Sequence, residues 1–123
     1  MIQVDFAGYF RNRLDVLYEF FLTQDVASAP ARAEELNDEL LRFVDLVKLH
    51  PKIGRPAGLL SASSLEGRAR LETLLRLASE AELPELREYV LRSHLALYAH
   101  SDKRVLFLSI RHQRELGYMP EAG

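Results

Sequence analysis

Three strand-like runs follow one another in the last forty residues, and they constrain the fold more than anything upstream. They are Leu86-Arg87-Glu88-Tyr89-Val90-Leu91, Leu95-Ala96-Leu97-Tyr98, and the stretch from Arg104 to Arg114. Ser101-Asp102-Lys103 joins the last two as a hairpin turn by position and composition, so successive runs pair as an antiparallel sheet. Val105 to Ile110 is apolar on both alternating faces, as suits an interior strand covered on both sides. Leu86 to Arg92 mixes its faces, as an edge or site-lining strand does. The sheet closes on Arg111-His112-Gln113-Arg114, a basic end suited to handling anions or protons.

Upstream the pattern is mostly helical. Ile2 to Phe6 alternates apolar and polar residues and predicts a short first strand. From Gly8 to Gln24, Phe10, Leu14, Leu17 and Phe21 recur at helical spacing, with Arg11, Asn12, Arg13, Asp15 and Glu19 mostly elsewhere. Val26 to Pro30 reads as a link. In the next helix Leu36, Leu40, Phe43 and Val47 form one stripe that Leu41 and Val44 widen, with acidic residues early and Lys48 late to suit the dipole. His50-Pro51 ends it, because the residue before a proline is pushed out of the helical region. The short link predicts an antiparallel helical hairpin. After the turn-rich segment from Pro51 to Gly58, Ser63 and Glu66 have capping-box spacing. A third helix is expected from about Ser64 to Ala81, with Leu71, Leu74, Leu75 and Ala78 on its apolar face and Pro84 bounding its end.

The expected fold class is therefore α+β: a small antiparallel sheet packed against an N-terminal helical hairpin, with an additional helix. A chain of 123 residues, 48% of them hydrophobic, builds one core, so residues 1–123 are read as a single domain. A formal net charge of -2 argues against a surface dedicated to coating nucleic acid, which needs uncompensated Lys and Arg. No cysteine means no disulfide framework and no thiolate metal site. No apolar run approaches the length of a membrane span, and the default expectation is a cytoplasmic protein without membrane contacts.

The constellation with most chemical content is Arg87, Arg92, Arg111, His112 and Arg114, because guanidinium forks bind phosphate or carboxylate oxygens with fixed geometry. Glu85, Glu88 and Glu115 are interleaved, so surface ion pairing is the plainer account of the same residues. His112 is the candidate proton carrier, since imidazole titrates near neutrality, and a hydrogen-bonded structural residue at a strand end is the plainer account of it. Even spacing puts His94 and His100 on one strand face. No HExxH or similar ligand spacing is present, and neither a metal nor another cofactor is expected. Lys52 and Arg55 either add positive charge to the rim of a cleft or simply solubilise the turn that carries them. No dinucleotide, Walker or nucleophile-elbow motif occurs.

Several of these features together resemble the RelE/ParE superfamily of bacterial type II toxins. They are the short first strand, the helical hairpin, and the turn His50-Pro51-Lys52-Ile53-Gly54-Arg55-Pro56. To these are added Leu86-Arg87-Glu88, the Leu97-Tyr98 strand, and the ending Ile110-Arg111-His112-Gln113-Arg114-Glu115. The similarity covers about residues 2–62 and 84–118. A helix at about 63–82 is a departure, since such proteins usually run from the turn to the second strand through a much shorter link. It is expected to lie beside the sheet.

The resemblance implies a toxin held inactive by a cognate antitoxin in a hetero-oligomer, with growth inhibition and plasmid stabilization as its effects. Members differ in target: RelE-like ones cleave mRNA in the ribosomal A site, and ParE-like ones poison DNA gyrase. The Gly-Arg-Pro turn, the His-Gln ending and the acidic balance lie closer to the ParE-like branch. That branch implies inhibition of gyrase by binding, with Arg55, Arg92, Arg111 and Arg114 as target- or anion-binding residues. The alternative is a ribosome-dependent endoribonuclease in which Arg87 stabilises the phosphate transition state and His112 transfers a proton. A non-toxic binding protein of the same fold is the third reading.

Overall fold

The computed structural model describes residues 2–56, 65–83 and 85–112, and the side chains of all of these except 65–71. The elements run β1 (Gln3–Phe6), α1 (Gly8–Gln24), α2 (Ala29–Leu49), β2 (Arg55–Pro56), α3 (Leu65–Glu80), β3 (Glu85–Val90), β4 (His94–His100) and β5 (Arg104–His112). The expected capping box of Ser63 and Glu66, the Leu71 side chain and Gly58 lie outside the described residues, as does Arg114.

The helices form where the apolar stripes predict them. In α1, Phe10, Leu17 and Phe21 are buried; in α2, Leu36, Leu40, Phe43 and Val47. At the end of α2, His50 has φ -137° and ψ 82°, outside the helical region as the following Pro51 requires, while its N–H still closes the last turn on the Leu46 carbonyl at 2.9 Å. In α3, Leu75 is 37% exposed and leaves the expected apolar face to Leu74 and Ala78. Two residues of α1 and α2 also depart from the expected faces. Leu41 is 58% exposed, so the α2 stripe widens through the half-buried Val44 alone. Arg13 is only 2% exposed and belongs to the buried face of α1, with its Nε donating to the Ile110 carbonyl at 3.1 Å. Three residues on from Phe10 is within reach of the same face, and a backbone acceptor there makes burial of a guanidinium tolerable.

One sheet of five strands, in the order β1-β5-β4-β3-β2, lies beneath the helices. It is mixed rather than wholly antiparallel: β2, β3, β4 and β5 pair antiparallel in succession, but β1 pairs with β5 in parallel, Gln3 opposite Arg104 and Phe6 opposite Phe107. A parallel partner requires a long crossover, and here everything between Phe6 and Arg104 supplies it. The helical hairpin carries the chain from one edge of the sheet to the other, and β3, β4 and β5 then return toward β1.

Each face of the sheet has its own core. Against the hairpin lie Ala96 and Tyr98 of β4, with Val105, Phe107 and Ile110 of β5. The ring of Phe43 meets those of Tyr89, Tyr98 and Phe107 at centroid separations of 4.1, 5.6 and 5.4 Å. On the opposite face Leu95, Leu97, Ala99 and Leu108 pack with Leu74 and Ala78 of α3 and with Leu83. The additional helix thus lies beside the sheet, as a cover for its second face. The register shifts at Leu97/Tyr98, where Leu97 faces Ser109 and Tyr98 faces Phe107, leaving Leu108 as the extra residue. That bulge is why the hairpin-facing residues of β5 step from Phe107 to Ile110 rather than to Ser109.

Candidate functional site

The basic residues of the sheet sort to its two ends. Register decides this: Arg87 lies opposite Tyr98 on β4, whereas His112 lies opposite His94. Four residues of strand and two inter-strand spacings separate them, about 13 Å along the strands and about 10 Å across. Arg87 and His112 are therefore not brought together, and Arg92 and Arg111 belong with His112.

At the Arg87 end, β3 gathers the turn that follows α2. The Arg87 fork, with its side chain 19% exposed, donates from one terminal nitrogen to the Gly54 carbonyl at 2.7 Å and from Nε to His100 Nε2 at 3.1 Å. Its other terminal nitrogen lies 3.6 Å from the Glu85 carboxylate, which is also 3.1 Å from His100 Nε2. Tyr98 holds the same turn from below: its hydroxyl donates to the Pro51 carbonyl at 2.8 Å and accepts from the Gly54 N–H at 2.9 Å. Burial pushes the Tyr98 phenol above its ordinary value; the hydrogen bond from Gly54 and the charge of Arg87 pull it partly back, and Tyr89 opposes them. Gly54 is required because a Cβ there would stand 2.6 Å from the Glu88 carbonyl and 2.8 Å from the Tyr98 hydroxyl.

Arg55 extends from β2, its side chain 62% exposed, with Nε donating to the buried Glu88 carboxylate at 2.8 Å. Its remaining guanidinium surface faces solvent and can meet a partner. An open cleft of about 370 Å³ borders the turn, lined by residues that include His50, Lys52 and His100.

At the other end, the His94 and His112 rings meet edge to face at 5.2 Å, and His94 also meets Phe21 at 6.1 Å. Arg111 donates to the His112 carbonyl at 3.1 Å. Arg92 is exposed on the β3–β4 turn, and its N–H donates to the Glu39 carboxylate of α2 at 2.8 Å. His94 and His100 share the hairpin-facing side, as their even spacing predicts, but stand at opposite ends of β4. Sequence reasoning missed the parts played by Tyr98, Glu85 and Glu88. Glu85 and Glu88 are interleaved with arginines and read as incidental ion-pair partners, while Tyr98 looks like any core aromatic.

Among the described residues no group of His, Asp and Glu could hold a metal ion, and no helix is long and apolar enough to cross a membrane. No curated protein matches the chain. Residues 4–117 match the family described as the ParE toxin of the type II toxin-antitoxin system parDE, and such a family implies an antitoxin partner. The match runs from within β1 through both helical layers and past the end of β5, so the chain belongs to the ParE toxins of type II toxin-antitoxin systems.

Proposed function

We propose that the chain inhibits DNA gyrase by binding it in the cytoplasm, arresting growth, and that a cognate antitoxin neutralises it in a hetero-oligomer that stabilises the plasmid carrying the pair. The observation that carries this reading is the separation of Arg87 from His112. Acid–base cleavage of RNA needs the proton carrier within hydrogen-bond reach of the reacting oxygen while a cation holds the phosphate. The Arg87 fork is directed at Gly54, Glu85 and His100 and away from the His112 end. Its role in this reading is to fix the turn that presents Arg55.

A protein target asks less of the geometry: exposed guanidinium groups on rigid elements are enough to contact a partner. Arg55 on β2 and Arg92 on the β3–β4 turn fit that description, and Arg111 lies opposite Leu95 toward the same end of the sheet. The net charge of -2 accords with a protein target rather than an RNA one.

The test is induction of the chain without its antitoxin, with DNA and protein synthesis followed by pulse labelling over the first minutes. DNA synthesis is expected to fall first, and purified protein to inhibit gyrase supercoiling. His112→Gln is expected to retain full growth inhibition, whereas Arg55→Ala and Arg92→Ala weaken gyrase inhibition. Translation falling first, or loss of toxicity in His112→Gln with the fold intact, would overturn the reading in favour of ribosome-dependent cleavage.

A further inference from the structure

The cleft beyond the α2–β2 turn has no part in the reading above, and its chemistry is specific. It holds about 370 Å³, within the usual size of a small-ligand pocket. Ile2 and Leu49 give it an apolar wall, His50, Lys52 and His100 give it groups able to carry positive charge, and Asp102 is its acid. Leu49 is 73% exposed, an apolar side chain open to cover.

His100 decides which ligand fits. The residue is only 2% exposed, and among the described residues its Nδ1 is buried without a hydrogen-bond partner. Its Nε2 lies 3.1 Å from the Arg87 Nε–H donor and 3.1 Å from the Glu85 carboxylate. One ring nitrogen cannot accept from the first and donate to the second at once. If Nε2 accepts from Arg87, the neutral ring carries its proton on Nδ1. Any form with a proton on Nε2, neutral or charged, sets that proton against the Arg87 N–H. With Nε2 accepting, the unpartnered Nδ1 is a donor, and a buried donor without an acceptor is costly.

We infer that this cleft binds a carboxylate carried on a short apolar stem, with an oxygen accepting from His100 Nδ1, Lys52 balancing the charge, and the stem covering Ile2 and Leu49. Asp102 favours a single negative charge over a phosphate dianion. A small organic acid and the free end of a polypeptide share this chemistry. The inference does not depend on the gyrase reading.

The ring resonances of His100 in the full chain, followed by side-chain NMR, report the site directly. Hexanoate stands for the free acid and acetyl-leucine for the chain end, with hexylamine, acetyl-leucinamide and inorganic phosphate as controls. A saturable shift is expected with one or both acids below about 20 mM and with neither amine nor amide, and the tighter acid identifies the source. Lys52→Ala, at an exposed position, is expected to weaken binding roughly threefold or more while leaving the spectrum otherwise folded. No saturable shift with either acid, an equal shift with hexylamine, tighter binding of phosphate, or unchanged affinity in Lys52→Ala would each overturn the inference.

Discussion

The Tyr98 hydroxyl makes two hydrogen bonds to a turn more than forty positions away in sequence, accepting from Gly54 and donating to Pro51. Tyr98→Phe leaves both backbone groups without that partner and is expected to lower stability by about 1–3 kcal/mol in urea unfolding. Gly54→Ala forces a Cβ against the Glu88 backbone, which cannot give way as a side chain would, and is expected to cost about 1–3 kcal/mol in the same assay. The raised phenol makes a further prediction. Between the ordinary value of 10.0 and the higher folded value, the unfolded chain loses the Tyr98 proton while the native chain keeps it. The stability tied to the neutral phenol is therefore whole below pH 10.0 and declines as pH rises through the folded value, so Tyr98→Phe should flatten the alkaline limb of a stability–pH curve. None of this is legible in the sequence, where Leu97-Tyr98 reads as ordinary strand. Arg13 was likewise indistinguishable from a surface arginine, because its acceptor, the Ile110 carbonyl, comes from the far end of the chain.

Among the elements, α1 and α2 are legible nearly to the residue, because a helix made amphipathic by its neighbours writes its buried face into its own sequence. The third helix is equally legible from Leu74 and Ala78, although what it covers is not. In the fold it closes the second face of the sheet over Leu97 and Leu108. Leu74 is 2% exposed and Leu75 37%, so the two adjacent leucines form a controlled pair. Leu74→Ala is expected to destabilise by about 2–5 kcal/mol and Leu75→Ala by far less, measured by chemical unfolding of each variant. The strand β2 escapes sequence reading because two residues carry no period. It exists through its pairing with Glu88 and Arg87.

At the scale of the whole molecule, β5 unites the fold: it lies between β1 and β4 and has α1 on one face and α3 on the other. The sequence marks it as an interior strand, yet its parallel partner β1 could not be foreseen, since pairing across so long a crossover leaves no local signal. A fragment ending at Ser101 retains both helices of the hairpin and four strands but lacks that centre. It is expected to show neither the native far-UV circular dichroism nor dispersed amide resonances. The same arrangement bears on when the chain acquires its fold. As the chain leaves the ribosome, β4 emerges with both faces apolar and one edge bare, and no sheet can close until residues 104–112 follow it out. Each copy therefore begins without its fold. An antitoxin already at hand has that interval in which to meet it unfinished.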